Sequence, residues 1–219
     1  MAWSGQPIAI AMYLPPHFAE TNVEELHRII RENPLGMLVT YSAKGIDANH
    51  LPFELESSAG TTAVLQAHVA RANPLWTEFG DGADVMVVFR GIHGYISPSW
   101  YPSKQQTHRH VPTWNYEVVH AHGRLSVMDD ERFVRSIVAR LTRRHEAAEP
   151  MPWKMGDAPR DYIDQMLQAI VGIEVQVLRL EGKRKLGQNR DAGDLEGAVR
   201  ALDARGNHAL ASAMASTRR

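Results

Sequence analysis

The stretch VHAHGRLSV at residues 119–127 decides the fold class, because its side chains alternate between apolar or small and polar ones. Alternate side chains of a β-strand point to opposite faces of a sheet. The inward face comprises Val119, Ala121, Gly123, Leu125 and Val127. The other face comprises His120, His122, Arg124 and Ser126. We therefore expect a β-strand that buries one face.

The sequence before this stretch predicts more strands and a hairpin. Residues 35–41 and 46–55 alternate on either side of a turn at 42–45, which indicates a hairpin. Residues 63–69 alternate again, whereas 85–89 form a continuous apolar run typical of a strand buried on both sides. Strands therefore dominate the first half of the chain.

Helices are predicted at the periphery of these strands. Thr21 or Asn22 begins a helix that ends at Asn33-Pro34. Asp129 is expected to cap a second helix, and 158–170 to form a third before a strand from Val171. A helix from Asp191 should stop at Gly206, before an Ala/Ser-rich end that we expect to be mobile. The fold class is mainly β, antiparallel, with peripheral helices.

Composition limits the classes of function. The formal net charge is −1, so the chain lacks the basic excess of a protein that binds duplex DNA mainly through phosphates. It has no cysteine, which excludes disulfides and thiolate metal sites. The longest apolar run, 8–14, is too short to span a bilayer and lacks a basic flank. We expect a soluble cytoplasmic protein without a membrane partner.

Six strings in order carry a family resemblance over nearly the whole chain. They are MYLPPHF at 12–18, NHLPFEL at 49–55, HVARANPLW at 68–76, GIHGYISPSWY at 91–101, VPTWNYEVVHAHGRL at 111–125 and GKRKLGQNR at 182–190. Together they resemble the PaiB-type FMN-binding negative transcriptional regulators of the FMN-binding split-barrel superfamily. The chain departs from the family pattern at Gly187, where most members have serine.

The resemblance implies a fold and a function. It implies an antiparallel split β-barrel that is homodimeric and binds FMN non-covalently at the subunit interface, as in pyridoxamine phosphate oxidases and flavin reductases. We expect a split-barrel domain at 1–190, with a helical insertion at 129–170, and a helical tail at 191–219. The implied function is that of a negative transcriptional regulator, and DNA as a partner follows from the resemblance alone.

The resemblance also implies which residues contact FMN. The phosphate is expected near the end of one strand, at His68, Val69, Arg71 and Asn73. The ring is expected along Asn49, His50, Leu51 and Pro52, with Met37, Val39 and Thr40 as a possible floor. Trp114 and Tyr116 of a second subunit close the groove. Lys185, Gln188, Asn189 and Arg190 reach it after the last strand. Without the resemblance, each of these groups has a more common structural interpretation. Residues 49–52 would be an ordinary edge strand, 68–73 a strand end and helix start, and 185–190 a solvated turn. The apolar and aromatic residues would be part of the core.

Other functions remain open at this stage. A flavin-dependent oxidoreductase, similar to flavin reductase or pyridoxamine phosphate oxidase, is one alternative, although His50, His68 and Tyr116 are candidate groups by position only. A haem-binding or haem-degrading protein is another. The pairs His108/His110 and His120/His122 have metal-compatible spacing, but isolated pairs are more often surface histidines, so no metal site is expected.

The helix after Asp129 is rich in arginine toward its C-terminus, which has two interpretations. A DNA-contacting face is one of them. We prefer the other interpretation, in which the charges complement the helix dipole, because acids stand at the start of the helix and arginines at its end. The arginines are Arg132, Arg135, Arg140, Arg143 and Arg144.

Overall fold

The computed structural model describes residues 12–57 and 62–217. The strands are β1 (Ala19–Glu20), β2 (Leu35–Ser42), β3 (Gly45–Pro52), β4 (Glu54–Glu56), β5 (Val64–Ala70), β6 (Ala83–Ile96), β7 (Thr113–Met128) and β8 (Ile170–Lys185). The helices are α1 (Val23–Glu32), α2 (Leu75–Glu78), α3 (Lys104–Thr107), α4 (Glu131–His145), α5 (Arg160–Gln168), α6 (Ala192–Asp203) and α7 (His208–Ala215).

The strands form one open sheet in the order β3-β2-β6-β7-β8-β5-β4, with β1 paired to β8. The pairings of β2 with β3 and β6, and of β5 with β4 and β8, are antiparallel. This confirms the predicted fold class, a mainly antiparallel sheet with helices outside it. No helix in the described part of the chain is both long enough and apolar enough to cross a membrane.

The predicted hairpin is confirmed by the register of β2 and β3, which runs from Leu35 opposite Pro52 to Ser42 opposite Gly45. The predicted strand 46–55 is in fact two strands, because Pro52 has no backbone N–H to continue the ladder. The N–H of Phe53 donates instead to the carbonyl of Pro34 at 2.8 Å. Glu54–Glu56 then pairs with β5 rather than β2.

β6 differs from its prediction in a way that bears on the site. Val85, Val87 and Phe89 are buried, but Met86 and Val88 between them are only half-buried. The expectation of a strand buried on both faces is therefore wrong for this chain. Apolar side chains on the second face of β6 remain accessible.

By its internal contacts the chain divides into two compact units. The first unit, 27–90 with 119–180, contains β2 to β5, α4 and α5. Its helical insertion has a small core of Val134, Ile163 and Leu167. Asp130, and not Asp129 as predicted, caps α4: its side-chain carboxylate accepts the N–H of Phe133 at 2.9 Å.

The second unit consists of 12–26, 91–118 and 181–217 among the described residues. Its core joins Ile96, Tyr101 and Leu186 to side chains of α6 and α7. The Ala/Ser-rich end, expected to be mobile, is instead α7, whose Leu210 and Met214 are buried. Apolar residues at a spacing of four create this buried face, which the alanine-rich composition hides.

Candidate functional site

One face of β3, β2 and β6 is apolar and accessible in the first unit. Directly paired residues place their side chains on the same face of a sheet. Met37 is opposite His50 and Val88, Val39 is opposite Ala48 and Met86, and Tyr41 is opposite Ile46. Tyr41 is 76% exposed and Ile46 77% exposed. These eight residues are called the apolar sheet face below.

A groove of about 320 Å³ lies on this face. Its lining includes Val39, Thr40, Tyr41, Ile46, Met86 and His122. Two of the three residues predicted to floor a flavin ring, Val39 and Thr40, therefore line a concavity. The Oγ1 atom of Thr40 is buried and has no hydrogen-bond partner among the described residues. Because side chains alternate along β2, this hydroxyl points to the inner face, opposite the side chains of Val39 and Tyr41, and it is not offered to a ligand in the groove.

The predicted ring-edge residues divide between the two faces of β3. His50 lies on the apolar sheet face opposite Met37, whereas Leu51 is buried on the inner face. Pro52 ends the strand opposite Leu35. The side chain of Asn49 accepts a hydrogen bond from Asn73 Nδ2 at 2.7 Å. The structure thus brings together two predicted residues, Asn49 and Asn73, that are 24 positions apart.

Asn73 also fixes the turn after β5. Its Oδ1 atom accepts the backbone N–H of Leu75 at 2.9 Å, and α2 is a single turn of four residues. Because Asn73 already holds this N–H and so short a helix has a small dipole, the start of α2 offers little to an anion. Any phosphate contact in this segment therefore depends on Arg71 and neighbouring side chains.

Arg71 makes several contacts within the first unit. Its Nη1 and Nη2 atoms donate to Asp129 at 3.0 and 2.6 Å. Its Nε donates to the carbonyl of Gln168 at 2.8 Å, and Nη2 also reaches the carbonyl of Ile170 at 3.3 Å. The hydrogen bond from Arg71 holds the pKa of Asp129 below its usual value, and the same contact raises the pKa of Arg71. The guanidinium therefore joins the end of β5 to the start of α4 and of β8.

His68 lies on the outer face of β5, while Val69 is buried on the inner face. His68 is opposite Gly172, and a Cβ atom at Gly172 would lie 2.6 Å from the ring of Phe133 in α4. Paired residues share a face, so His68 is on the side that α4 covers. Burial lowers the pKa of His68, and its Nδ1 atom has no partner among the described residues. Burial thus favours the neutral form of His68, and one of its ring nitrogens is buried without a partner among the described residues.

The second unit holds the other predicted residues. Lys185 Nζ donates to Thr113 Oγ1 and to the carbonyl of Trp114, at 2.8 Å to the latter. Burial, with the nearby cations Lys183 and Arg190, lowers the pKa of Lys185. The ring of Trp114 is 54% exposed and stacks on His93 with centroids 6.3 Å apart. Lys183 Nζ lies 5.7 Å from the ring of Tyr116. An exposed aromatic ring therefore adjoins a cation that is destabilised by burial and by neighbouring cations, and an anion there would be favourable.

Gln188 and Gly187 form a turn after β8. The side chain of Gln188 bridges this turn. Its Oε1 atom accepts the N–H of Leu186 at 2.8 Å, and its Nε2 atom donates to the carbonyl of Arg184 at 2.6 Å. Gly187 has φ 90°, a conformation that glycine adopts without strain. Glycine therefore fits this turn without the strain that a Cβ atom would cause. Asn189 is exposed beside the turn.

Arg190 belongs to a hydrogen-bond chain that sequence reasoning missed. Its Nη1 lies 3.4 Å from His110 Nδ1, and its guanidinium stacks over Tyr101 at 5.0 Å. The Nε2 atom of His110 lies 2.8 Å from Ser103 Oγ, which donates to Asp194 Oδ2 at 2.6 Å. The serine lies between the histidine and the carboxylate, so these groups do not form a nucleophile activated by histidine. They attach the 98–112 loop to α6. Their wide spacing in the sequence gave no signal.

Three of the five arginines of α4 are in ion pairs within the first unit. Arg135 contacts Glu131 and Asp164 at 3.0 and 2.6 Å. Arg140 pairs with Glu56 at 3.0 Å, and Arg144 with Glu54 at 3.3 Å. These pairs hold Arg140 and Arg144 against β4 and Arg135 against α5. Such arginines are not displayed for DNA.

The chemistry of these groups fits FMN. A flavin needs an apolar surface for its ring, hydrogen-bonding atoms at the ring edge and cationic donors for its phosphate. The groove supplies the apolar surface, and His122 in its lining carries ring nitrogens that can hydrogen-bond. Arg71 in the first unit and Lys185 in the second are candidate donors for the phosphate. The predicted contacts of individual residues stay predictions.

Comparisons with known proteins agree with this chemistry. A family profile described as "Putative FMN-binding domain" matches residues 12–179. The chain is 31% identical over 191 residues to "Protease synthase and sporulation protein PAI 2" of Bacillus subtilis, covering 87% of this chain and 89% of the relative.

Two solved structures share the fold at low sequence identity. The flavocytochrome Anf3 of Azotobacter vinelandii has a TM-score of 0.57 at 13% identity, covering 76% of this chain and 69% of that one. The FAD and heme binding protein of Mycobacterium smegmatis has a TM-score of 0.56 at 17% identity, covering 84% of this chain and 79% of that one. At these identities the likeness shows the fold alone.

Proposed function

The chain belongs to the FMN-binding domain family, whose profile covers residues 12–179, and we propose that it is a non-covalent FMN-binding regulator that acts as a homodimer. FMN is the cofactor that this family assigns to the chain. When bound, FMN supplies electron-transfer chemistry, while the protein orients the ring and sets its surroundings. The subunit interface, the individual contacts and the regulatory role are the proposal.

The apolar sheet face is the observation that carries the proposal. Contiguous apolar patches on soluble proteins commonly mark sites of protein or ligand binding. Tyr41 and Ile46 are three-quarters exposed at its edge, and Met86 and Val88 extend it across β6. A second subunit on this face, with FMN in the groove, would remove these side chains from water. This arrangement accounts for apolar residues on both faces of β6.

The regulatory part of the proposal rests on the family resemblance and on the B. subtilis relative, whose name refers to protease synthase and sporulation. The ion pairs of α4 remove support for this helix as a DNA-binding surface. We therefore propose that regulation depends on FMN binding and on a partner or surface other than α4.

A titration of FMN, followed by quenching of flavin fluorescence, tests the proposal with a matched pair of variants. Ile46→Ser removes an exposed apolar side chain from the groove. Leu178→Ser removes one that is 58% exposed on β8, outside the groove lining. We expect Ile46→Ser to weaken FMN binding roughly tenfold, which corresponds to about 1.4 kcal/mol. Leu178→Ser should bind like the wild type.

Analytical ultracentrifugation of the same proteins tests the dimer. We expect a wild-type dimer at micromolar concentration, and more monomer for Ile46→Ser than for Leu178→Ser. A wild-type protein that is monomeric, or that binds no FMN, contradicts the proposal. Equal FMN affinities of the two variants would mean that the groove is not the FMN site.

A haem-binding protein is a second candidate, favoured by the position of His122 in the lining of the groove. The M. smegmatis structure is described as a FAD and heme binding protein. Imidazole is a common axial ligand of haem iron. Titration with haem should then give a Soret band that His122→Ala abolishes. If no such band appears, or if His122→Ala leaves it unchanged, this candidate is wrong.

A further inference from the structure

The helical insertion of the first unit contains a pocket that is not part of the proposed flavin site. It has a volume of about 500 Å³ and lies between the C-terminal part of α4 and the segment 152–155. Its apolar walls are Ala139, Ala147, Pro152, Trp153 and Met155. The pocket is called the insertion pocket below. Its size and mainly apolar lining are those of small-molecule sites in proteins.

The packing around the insertion pocket is incomplete. The core of the insertion has three buried residues, Val134, Ile163 and Leu167, and Met155 packs against it from the side of the pocket. Trp153 is 41% exposed and Met151 beside it is 89% exposed. Large apolar side chains at such exposure, next to a concavity, lose water contact when a ligand enters. A ligand with an apolar body would therefore extend this small core.

The charges of the insertion pocket select the kind of ligand. Arg143 and Lys154 contribute two cations, and Glu146 contributes one carboxylate. The carboxylate of Glu146 already accepts the backbone N–H of Trp153 at 2.9 Å, which holds the segment 152–155 against α4. Arg143 forms no ion pair with any described residue. The lining therefore has an excess positive charge, with a guanidinium available to an anion.

We infer that the insertion pocket binds a small amphipathic carboxylate, whose ring or branched chain lies against Trp153 and whose carboxylate pairs with Arg143. The negative end of the α4 dipole opposes an anion here, but at this exposed helix end it is screened by solvent and is weaker than a charge-assisted hydrogen bond from Arg143. The inference is independent of FMN binding.

The test uses 4-phenylbutyrate as the ligand. The control is 4-phenylbutylamine, which has the same phenyl ring but a positively charged amine in place of the carboxylate. Binding to the full-length protein is followed by the indole N–H signal of Trp153 in ¹H–¹⁵N spectra, which Trp153→Phe identifies. We expect a saturable shift with the carboxylate and none with the amine. Arg143→Gln should weaken the carboxylate on the order of tenfold. The matched control is Arg132→Gln, which changes an exposed arginine of the same helix outside the pocket.

Three results would overturn the inference. The first is no shift with 4-phenylbutyrate, the second is an equal response to the amine, and the third is an equal loss in Arg143→Gln and Arg132→Gln. Each experiment is run with and without saturating FMN. Binding of the carboxylate in both states supports the insertion pocket as a site separate from the flavin groove, whatever the outcome of the FMN titration.

Discussion

Arg71 uses both of its terminal nitrogens to bind the carboxylate of Asp129, at 3.0 and 2.6 Å. A guanidinium has five N–H donors, and the carbonyls of Gln168 and Ile170 accept two more of them. One donor is left for a phosphate. Arg71 can therefore hold the FMN phosphate fully only if Asp129 gives way.

Replacing Asp129 by asparagine tests this competition. If Arg71 contacts the phosphate, Asp129→Asn should tighten FMN binding a few-fold, because it frees donors of Arg71 and removes a negative charge nearby. Asp164→Asn is the control, since it removes a carboxylate that pairs with Arg135 in the same unit. The readout is the FMN dissociation constant from flavin fluorescence. Unchanged FMN affinity together with lower stability of Asp129→Asn would mean that Arg71 is a structural anchor.

His68 predicts a pH dependence of stability. Burial lowers its pKa in the folded protein, so the unfolded chain binds the proton more readily. The stabilisation is fully present above the unfolded pKa of about 6.5 and is lost as pH falls below it. We expect the free energy of unfolding to decrease between pH 7.5 and 5, and His68→Gln to reduce that decrease.

Urea unfolding at both pH values measures the effect. The control is His50→Gln, which replaces an exposed histidine of the same unit and should keep the wild-type pH dependence. An identical pH dependence in His68→Gln and the wild type would contradict this explanation.

The sequence predicted the fold well where period and turn chemistry act locally. The β2–β3 hairpin and α1 follow from alternation, capping residues and Pro34, and the structure confirms them. The sequence did not predict structure correctly where residues distant in the chain compete for the same partner. Asp129 was expected to cap α4, but Arg71, 58 positions away, binds it and Asp130 caps the helix instead. Met86 and Val88 looked like core because apolar composition does not distinguish an interior from an apolar surface.

The candidate site was predictable only in part for the same reason. The resemblance pointed to Asn49 and Asn73, which the structure joins at 2.7 Å. No local pattern indicated that Arg190 would contact His110, or that the groove would include His122 from β7. Such contacts depend on how strands are ordered in the sheet, which a single sequence does not encode in its spacing.

Replacing Gly187 by another residue should lower the free energy of unfolding. Its φ of 90° is unfavourable for other residues, and a Cβ atom there would lie 3.1 Å from Leu195 Cδ1. We expect Gly187→Ala to lower the free energy of unfolding by about 1 to 2 kcal/mol. Gly193→Ala is the control, because it lies in the first part of α6 with no atom within 4 Å of the new Cβ. Equal stabilities of the two variants in urea would contradict the strained turn.

We expect Asp194 to anchor the 98–112 loop to α6. Asp194 is 3% exposed, and its carboxylate accepts both the backbone N–H of Ser103 at 3.0 Å and the hydroxyl of Ser103 at 2.6 Å. Asp194→Ala leaves these two donors without an acceptor, and we expect a loss of about 2 to 3 kcal/mol in the free energy of unfolding. Ser103→Ala removes only the hydroxyl and should cost about 1 kcal/mol.

Hydrogen exchange by mass spectrometry distinguishes this anchoring from a general loss of stability. In Asp194→Ala the amides of 98–112 should exchange faster through local opening, while those of β5, in the other unit, keep their wild-type rates under native conditions. The control is Asp203→Asn, because Asp203 pairs with His208 at an exposed position of the same unit. If the loop exchanges at the wild-type rate in Asp194→Ala, then the hydrogen-bond chain from Arg190 to Asp194 does not hold it. In that case the packing of Tyr101 in the core of the second unit is what fixes the loop.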